Sequence, residues 1–258
     1  MSAYEKKKIL ITVKTYPLPS KKTIEASCTA GITEDGKWIR LFPLPFRHLE
    51  SSKQFKKYQW IEASVTKAKD PRPESYKIDI DSISLLGKPM PTYNNWLYRK
   101  EIILPLESRS LCDLQNTQGE TDITLSIFKP RCINELIIEP EEVPHWTEDE
   151  LATLNQQSMF DKKYVVPLEK IPFKFKYRFL CGDSNCSGHI LSVTDWEVGQ
   201  AYRKFRKLYR QGWEYQFRKK FGYDMIYNFD THFYVGTTRA HKHTWIIIGI
   251  FYPHKEVA

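Results

Sequence analysis

The sequence predicts an α+β protein in which a β-rich N-terminal sheet or small barrel packs with a C-terminal α+β part. Two observations carry this prediction. Short β-rich runs broken by turn signals fill residues 9–65, whereas the last third combines alternating strands with an amphipathic helix. With 258 residues, 41% of them hydrophobic, the chain has enough apolar material for a substantial core.

Four runs predict the N-terminal strands: KILITVKTYP, TIEASCTAGI, WIRLFPLP and KYQWIEASVTKA. Asp35-Gly36 lies between two of these runs and predicts a hairpin turn, because glycine accepts the positive φ that such turns require. The later run KIDIDSISLL alternates in the manner of a half-buried strand. Proline-bounded segments follow, and they place a subdomain boundary near residue 90.

The chain is therefore divided into a β-rich subdomain at residues 1–90, a mixed connecting segment at 91–166 and a C-terminal α+β subdomain at 167–258. Helices are predicted over Tyr93–Ile102 and Thr147–Ser158. The second helix begins with Thr147, and Glu150 completes a capping box three residues later.

The C-terminal part is predicted as strand Lys174–Leu180, loop Cys181–His189, strand Ile190–Val193 and a helix opened by Thr194. The apolar face of that helix is Val198, Ala201, Tyr202, Phe205, Leu208 and Tyr209. A second helical stretch covers 213–221, and FYVGTT and WIIIGIF read as two closing strands.

The charge balance favours an anionic partner. The chain has 39 Lys+Arg against 31 Asp+Glu and a formal net charge of +8, so nucleic acid, either DNA or RNA, is the predicted partner. No membrane association is expected, since no run approaches the length of a spanning helix, and a secretory signal is not recognisable. Five cysteines without such a signal indicate a reducing, cytoplasmic compartment. The oligomeric state is not indicated.

The sharpest motif is the C-x4-C-x2-H element, which holds Cys181, Cys186 and His189 on one loop. Thiolate and imidazole are the ligands that tetrahedral zinc prefers, so these residues are the predicted metal ligands. The fourth ligand is left open among Cys132, His241, His243, Asp195 and a water molecule. A water ligand would make the metal catalytic. The alternative is two buried structural cysteines and a histidine in a turn.

A second constellation follows that loop. His189, Asp195 and Glu197 are the candidate catalytic residues, because carboxylates and an imidazole could hold a catalytic divalent cation for phosphodiester hydrolysis, with Arg203 or Lys204 near the phosphate. The alternative is a capping box in which Thr194 caps the helix and Glu197 returns to it.

A third constellation is basic. Between Tyr202 and Tyr223, eight cationic residues accompany one acid, Glu214, a ratio that suits phosphate neutralisation. Aromatic side chains interleaved with them could stack unpaired bases or form core. The predicted nucleic-acid-binding residues are Arg203, Lys204, Arg206, Lys207, Arg210, Arg218, Lys219 and Lys220.

The sequence has neither a Walker-type phosphate loop nor a G-x-G-x-x-G fingerprint, so no nucleotide cofactor is expected. Several strings resemble a family of uncharacterised bacterial and archaeal proteins: WIRLFPLPFR, KDPRPESYK, FLCGDSNCSGH followed by DWE, and FYVGTT with IIIGIFYP. That resemblance spans most of the chain and implies no activity. The N-terminal pattern also resembles the small barrels of RNA-associated PUA-type and ASCH-type modules.

These observations predict a nucleic-acid-binding protein with a structural zinc knuckle. Two alternatives stay open at this stage. One is a metal-dependent nuclease or phosphoester hydrolase built on the second constellation. The other is an interaction module of a defence or toxin system, in which the acidic middle and the basic end of the chain meet different partners.

Overall fold

The computed structural model describes residues 3–118, 120–156, 165–238 and 243–256. The chain forms two compact units, a barrel unit of residues 1–90 and 142–172 and a second unit of residues 91–141 and 173–258. Both strands and helices are abundant, so the α+β prediction is confirmed. Among the helices of the described residues, none has the length and apolarity that a bilayer crossing requires.

The strands, in chain order, are β1 Glu5–Lys14, β2 Leu18–Ser20, β3 Ile24–Thr33, β4 Trp38–Leu44, β5 Trp60–Lys67, β6 Ser75–Ile78, β7 Ser84–Leu86, β8 Leu125–Phe128, β9 Cys132–Pro140, β10 Phe173–Leu180, β11 His189–Ser192, β12 His232–Thr237 and β13 Trp245–Phe251. The α-helices are α1 Tyr93–Ile103, α2 Leu111–Asn116, α3 Glu148–Asn155, α4 Trp196–Tyr209, α5 Trp213–Phe217 and α6 Met225–Tyr227. A π-helical segment, Arg218–Asp224, joins α5 to α6.

The barrel unit is a closed five-stranded barrel in the order β1-β3-β4-β6-β5, which β5 closes by pairing with β1. The β4–β6 pair is parallel and the other pairs are antiparallel. Alternate residues point inward, as the two-residue period of a strand requires, and pack as an apolar core. Its buried members include Ile9, Ile11, Ile39, Leu41, Ile61 and Val65.

The predicted hairpin joins β3 to β4. Gly36 has φ of 74°, and its N–H donates to the Thr33 carbonyl at 2.9 Å. The Thr33 hydroxyl donates to the Asp35 carboxylate at 2.5 Å. The turn therefore combines a side-chain hydrogen bond with the one residue that tolerates left-handed backbone at low cost.

The prediction of one strand over KIDIDSISLL was wrong. The segment instead contains the end of β6, a 3-10 turn at Ile80–Ser82 and β7. The Asp79 carboxylate accepts a hydrogen bond from the Asp81 N–H, and this local bond competes with continuation of the strand.

In the barrel unit, α3 begins as predicted. The Thr147 hydroxyl accepts from the Glu150 N–H, and the Glu150 carboxylate accepts from the Thr147 N–H at 2.8 Å, which completes the capping box. The helix ends at Asn155, and the last two residues of the predicted helix lie outside the described part of the chain.

The second unit contains two three-stranded sheets, β11-β10-β9 and β13-β12-β8. Strand β10 separates two environments by simple alternation. Phe175, Tyr177 and Phe179 are buried, whereas the opposite face carries cations that pair with acids on or beside β9. Those ion pairs are Lys174–Glu141, Lys176–Glu139 and Arg178–Glu135.

The helices of this unit pack on the buried face of β10. Tyr202 of α4 contacts the rings of Phe173 and Phe175 at centroid distances of 5.7 and 6.0 Å. The predicted apolar face of α4 is correct at Val198 and Tyr202, which are buried, but wrong at Leu208 and Tyr209, which are exposed in the last turn.

Candidate metal centre and basic face

Four metal-ligating side chains converge in the second unit: Cys112, Cys181, Cys186 and His189. Their ligand atoms all lie within 4.8 Å of one another. The Cys112 Sγ is 3.3 Å from the Cys181 Sγ and 3.3 Å from the His189 Nε2, and the Cys186 Sγ accepts from the Cys181 N–H at 3.4 Å. Cys181 is fully buried and the other three are partly buried.

The positions of these ligands follow from local structure. Cys112 lies in the first turn of α2, where the Ser110 hydroxyl caps the helix by accepting from the Asp113 N–H at 2.9 Å. Cys181 directly follows the last residue of β10, and His189 begins β11 opposite Phe179.

The loop between Cys181 and His189 folds back on itself. The Asp183 carboxylate accepts from the Asn185 N–H at 2.7 Å, and the Asp183 carbonyl accepts from the Cys186 N–H at 3.2 Å. Gly188 has φ of 102°, a conformation that side-chain-bearing residues rarely adopt. The turn therefore presents Cys186 and His189 to the same point in space.

The thiols of Cys181 and Cys112 differ in acidity. Burial acts to raise the pKa of Cys181, but hydrogen bonds from the backbone N–H groups of Asp183 and Cys112 and from the neighbouring thiols outweigh it and lower the pKa to about 6. Burial, together with hydrogen bonding to Cys181 and Cys186, raises the pKa of Cys112 to about 12. The cluster thus favours a thiolate at Cys181, the form in which cysteine binds metal ions.

The donor set fits a tetrahedral metal ion. Donor atoms at about 2.0–2.3 Å from one ion lie roughly 3.3–3.8 Å apart in a tetrahedron, and both separations of 3.3 Å that the Cys112 Sγ makes within the cluster lie in this range. Cys181, Cys186 and His189 were predicted as ligands, and the structure brings them together.

The fourth member of the cluster is Cys112, which was not among the predicted candidates. Cys132 is exposed on β9, and neither Cys132, Asp195 nor His243 joins the cluster, while His241 lies outside the described residues. Cys112 is 69 residues from Cys181 along the chain, and no local spacing links it to the C-x4-C-x2-H element.

The candidate catalytic residues occupy different places. His189 belongs to the Cys/His cluster at the start of β11, and Asp195 lies beyond the other end of that strand. At about 3.3 Å per residue, β11 alone separates the two by roughly 10 Å. Glu197 is exposed on the first turn of α4. Among the described residues, the metal-ligating group that contains His189 consists of that histidine and three cysteines and does not include Asp195 or Glu197.

Asp195 caps α4. Its carboxylate accepts from the N–H groups of Glu197 at 2.6 Å and Val198 at 3.1 Å, and the side chain is buried. The alternative that this segment caps the helix is therefore correct, but the capping residue is Asp195 and not the predicted Thr194. The Thr194 N–H instead donates to the Ile247 carbonyl at 2.8 Å. That backbone bond keeps Thr194 in extended pairing with the chain at Ile247, so the helix is capped one residue later, by Asp195.

The cap predicts a stability effect. Replacing Asp195 by alanine leaves two helix N–H groups without an acceptor and should lower the free energy of unfolding by about 1–2 kcal/mol, whereas Asp195→Asn keeps a capping oxygen and should change it little. Urea denaturation followed by circular dichroism measures both. Glu197→Gln is the matched control, since it retains the backbone N–H that Asp195 binds. An equal loss in Asp195→Ala and Glu197→Gln would contradict the capping role.

The basic face, defined by the eight predicted nucleic-acid-binding residues, lies on α4, its C-terminal turn and the π-helical segment. Six of its members are exposed, and Arg203 and Lys220 are partly buried. Arg218 pairs with Glu214 at 2.8 Å. Within the described residues, no acidic side chain forms an ion pair with the remaining exposed members: Lys204, Arg206, Lys207, Arg210 and Lys219.

The fold and the cluster together define a class: a two-unit α+β protein with a closed β-barrel in one unit and a three-cysteine, one-histidine cluster in the other. The chain belongs to the family described as "Domain of unknown function (DUF8757)", whose model matches residues 107–258 and so contains the whole cluster. The model described as "Domain of unknown function (DUF8758)" matches residues 5–105. No curated protein matches the sequence.

Proposed function

We propose that this protein binds nucleic acid through the basic face and that a zinc ion held by Cys112, Cys181, Cys186 and His189 stabilises the unit that carries that face. The observation that carries the proposal is the concentration of exposed cations on α4 and the π-helical segment, five of which have no acidic partner among the described residues. Phosphate neutralisation with release of bound counterions is the main source of affinity at such surfaces.

The contrast with β10 supports this choice of surface. The cations on the outer side of β10 are individually matched by Glu135, Glu139 and Glu141, so that side is close to electrically neutral. The basic face has one matched pair and five exposed cations without an acidic partner among the described residues. A polyanion would therefore be attracted to α4 rather than to the sheet.

A structural role for zinc follows from the number of protein ligands. Structural zinc sites are closed by four protein ligands, whereas catalytic sites keep one position for water. Three thiols and one imidazole converge here, and the ion would tie α2 to the corner between β10 and β11. Tetrahedral sulfur and nitrogen donors suit zinc. A cytoplasmic, reducing compartment would keep the thiols in the form that binds it.

The nuclease alternative has less support, because its candidate residues are separated by β11 and Asp195 is engaged in capping. The alternative of an interaction module in a defence or toxin system stays a prediction.

The proposal is tested by equilibrium binding of the purified protein to fluorescently labelled oligonucleotides over a range of salt concentrations. We expect log affinity to fall linearly with log salt concentration, with a slope of about −2 to −5 on single strands, corresponding to roughly three to seven phosphate contacts. Binding that does not change with salt, or no binding to DNA or RNA at low salt, would refute the proposed function.

A further inference from the structure

The helical segment from Trp213 to Tyr227 carries two stripes of side chains with a four-residue period. One stripe is buried and consists of Trp213, Phe217, Phe221 and Met225. The other is offset by two residues, is exposed and consists of Tyr215, Lys219, Tyr223 and Tyr227, which we call the tyrosine stripe. An offset of two residues in a helix is a rotation of about 200°, so the two stripes lie on opposite sides.

The π-helical segment explains how a four-residue period stays on one side of the helix. In an α-helix with 3.6 residues per turn, positions four apart drift steadily around the axis. The i→i+5 bonding of Arg218–Asp224 widens the turn and offsets that drift between α5 and α6. The ring centroids of Tyr223 and Tyr227 lie 4.9 Å apart, as neighbours on one stripe should.

The buried stripe fixes the direction in which the tyrosine stripe points. Trp213 contacts Phe173 at a centroid distance of 5.0 Å, and Phe217 stacks on Phe175 at 4.4 Å. The hydroxyl of Tyr177, also on β10, donates to the Phe221 carbonyl at 2.5 Å. Since one side of the segment is anchored to β10 from Trp213 to Phe221, the opposite side faces solvent on a fixed support.

The tyrosine stripe is unusually apolar for such a surface. Tyr215, Tyr223 and Tyr227 have exposed fractions of 72%, 58% and 61%. Lys219 lies between Tyr215 and Tyr223, and it is flanked by Arg218, which pairs with Glu214, and by the partly buried Lys220. The stripe therefore combines aromatic faces with positive charge. This composition is complementary to a ligand that offers both flat aromatic groups and negative charge.

We propose that the tyrosine stripe stacks the unpaired bases of single-stranded nucleic acid while Lys219 and its basic neighbours neutralise the adjacent phosphates. This inference rests on the proposed function and specifies its substrate class. Aromatic side chains stack on any exposed base with little sequence preference. In a duplex the base faces are covered by their neighbours, and the grooves present edges that hydrogen-bonding side chains recognise.

The test compares a triple variant, Tyr215→Ala, Tyr223→Ala and Tyr227→Ala, with the wild type on a 15-nucleotide single strand and on the duplex of the same sequence. Alanine preserves the helix. We expect single-strand affinity to fall about tenfold for each tyrosine that stacks a base, with duplex affinity and the salt slope unchanged. Replacing the same three tyrosines by tryptophan should restore single-strand binding, because tryptophan keeps a stacking face.

The matched control replaces three other exposed tyrosines, Tyr4, Tyr93 and Tyr98, by alanine, and it should bind both ligands as the wild type does. If the alanine variant lost affinity equally for single strand and duplex, or lost none for either, stacking by the tyrosine stripe would be refuted. The proposed function would still stand if the affinity of the wild type fell steeply with salt. A wild type that binds no oligonucleotide would refute both.

The same proteins are assayed for two other occupants of the stripe. Sedimentation with vesicles containing phosphatidylserine, with no binding to oligonucleotides, would overturn the inference in favour of a bilayer surface. A wild-type dimer in analytical ultracentrifugation that becomes a monomer in the alanine variant would overturn it in favour of a second copy of the chain. A wild-type protein that is monomeric, binds oligonucleotides and does not sediment with vesicles supports the inference.

Discussion

Replacing Cys181 by serine is expected to abolish stoichiometric zinc binding and to lower the thermal stability of the protein. Cys181 is fully buried, and its Sγ lies 3.3 Å from that of Cys112, so its replacement removes a buried thiolate donor from the cluster. The three remaining protein ligands would leave the fourth position to water or to the weaker serine hydroxyl, so the ion would be lost during purification. The Cys181–His189 loop and α2 would then lose their common anchor.

The expected loss of stability is about 3 kcal/mol, which corresponds to roughly 6–12 °C in Tm for a domain of this size. It is smaller than the roughly 10 kcal/mol that zinc contributes to isolated zinc fingers, because the second unit has its own apolar core around Phe175, Phe179 and Phe233. Differential scanning calorimetry measures the shift, and mass spectrometry of the purified protein counts the bound metal.

Cys132→Ser is the matched control. Cys132 lies in the same unit, on β9, but is exposed and outside the cluster, so this variant should keep its zinc and its Tm. Stoichiometric zinc in Cys181→Ser, or a wild type that is fully folded without metal, would contradict the assignment of the cluster as a structural zinc site.

The second large effect concerns the basic face. Changing Lys204, Arg206 and Lys207 to glutamine should weaken binding to a single-stranded oligonucleotide at least tenfold at low salt, because each removed cation leaves about one phosphate without its partner. All three are exposed on α4, and glutamine is a good helix former. The loss should therefore appear in affinity, as measured by fluorescence anisotropy, while the circular dichroism spectrum and Tm stay unchanged.

The chain offers a matched control with the same change in net charge. Changing Lys174, Lys176 and Arg178 to glutamine also removes three positive charges, but from the side of β10 where each cation is paired with a glutamate. All three pairs lie at the surface and are at least partly exposed, and ion pairs in such positions contribute little to stability. Near wild-type affinity in this control would show that the position of the charge matters, rather than the net charge of +8.

The features that the sequence predicted correctly depend on near neighbours in the chain. The Asp35-Gly36 hairpin, the Thr147–Glu150 capping box and the alternation of β10 are each determined within a few residues. Three of the four cluster ligands lie within nine residues of one another, and the loop geometry brings them together. Local patterns of this kind are visible before any tertiary contact is known.

The features that escaped prediction depend on distant contacts. Cys112 reaches the cluster because α2 packs beside the end of β10, and nothing near residue 112 indicates it. The π-helical segment is a similar case, since Trp213–Phe221 has the composition of an ordinary helix and the widened turn becomes evident only with its anchoring to β10. The same holds for Thr194, whose bond to Ile247 moves the helix start by one residue.

The central claim, that the basic face binds nucleic acid, is tested most directly by the salt dependence of affinity in the two glutamine variants. For the triple variant at Lys204, Arg206 and Lys207, we expect the slope of log affinity against log salt to be shallower than that of the wild type by about 2 on a single strand, since each lost phosphate contact removes about 0.7. The variant at Lys174, Lys176 and Arg178 should keep the wild-type slope. Equal slopes for the wild type and the α4 variant would contradict the account.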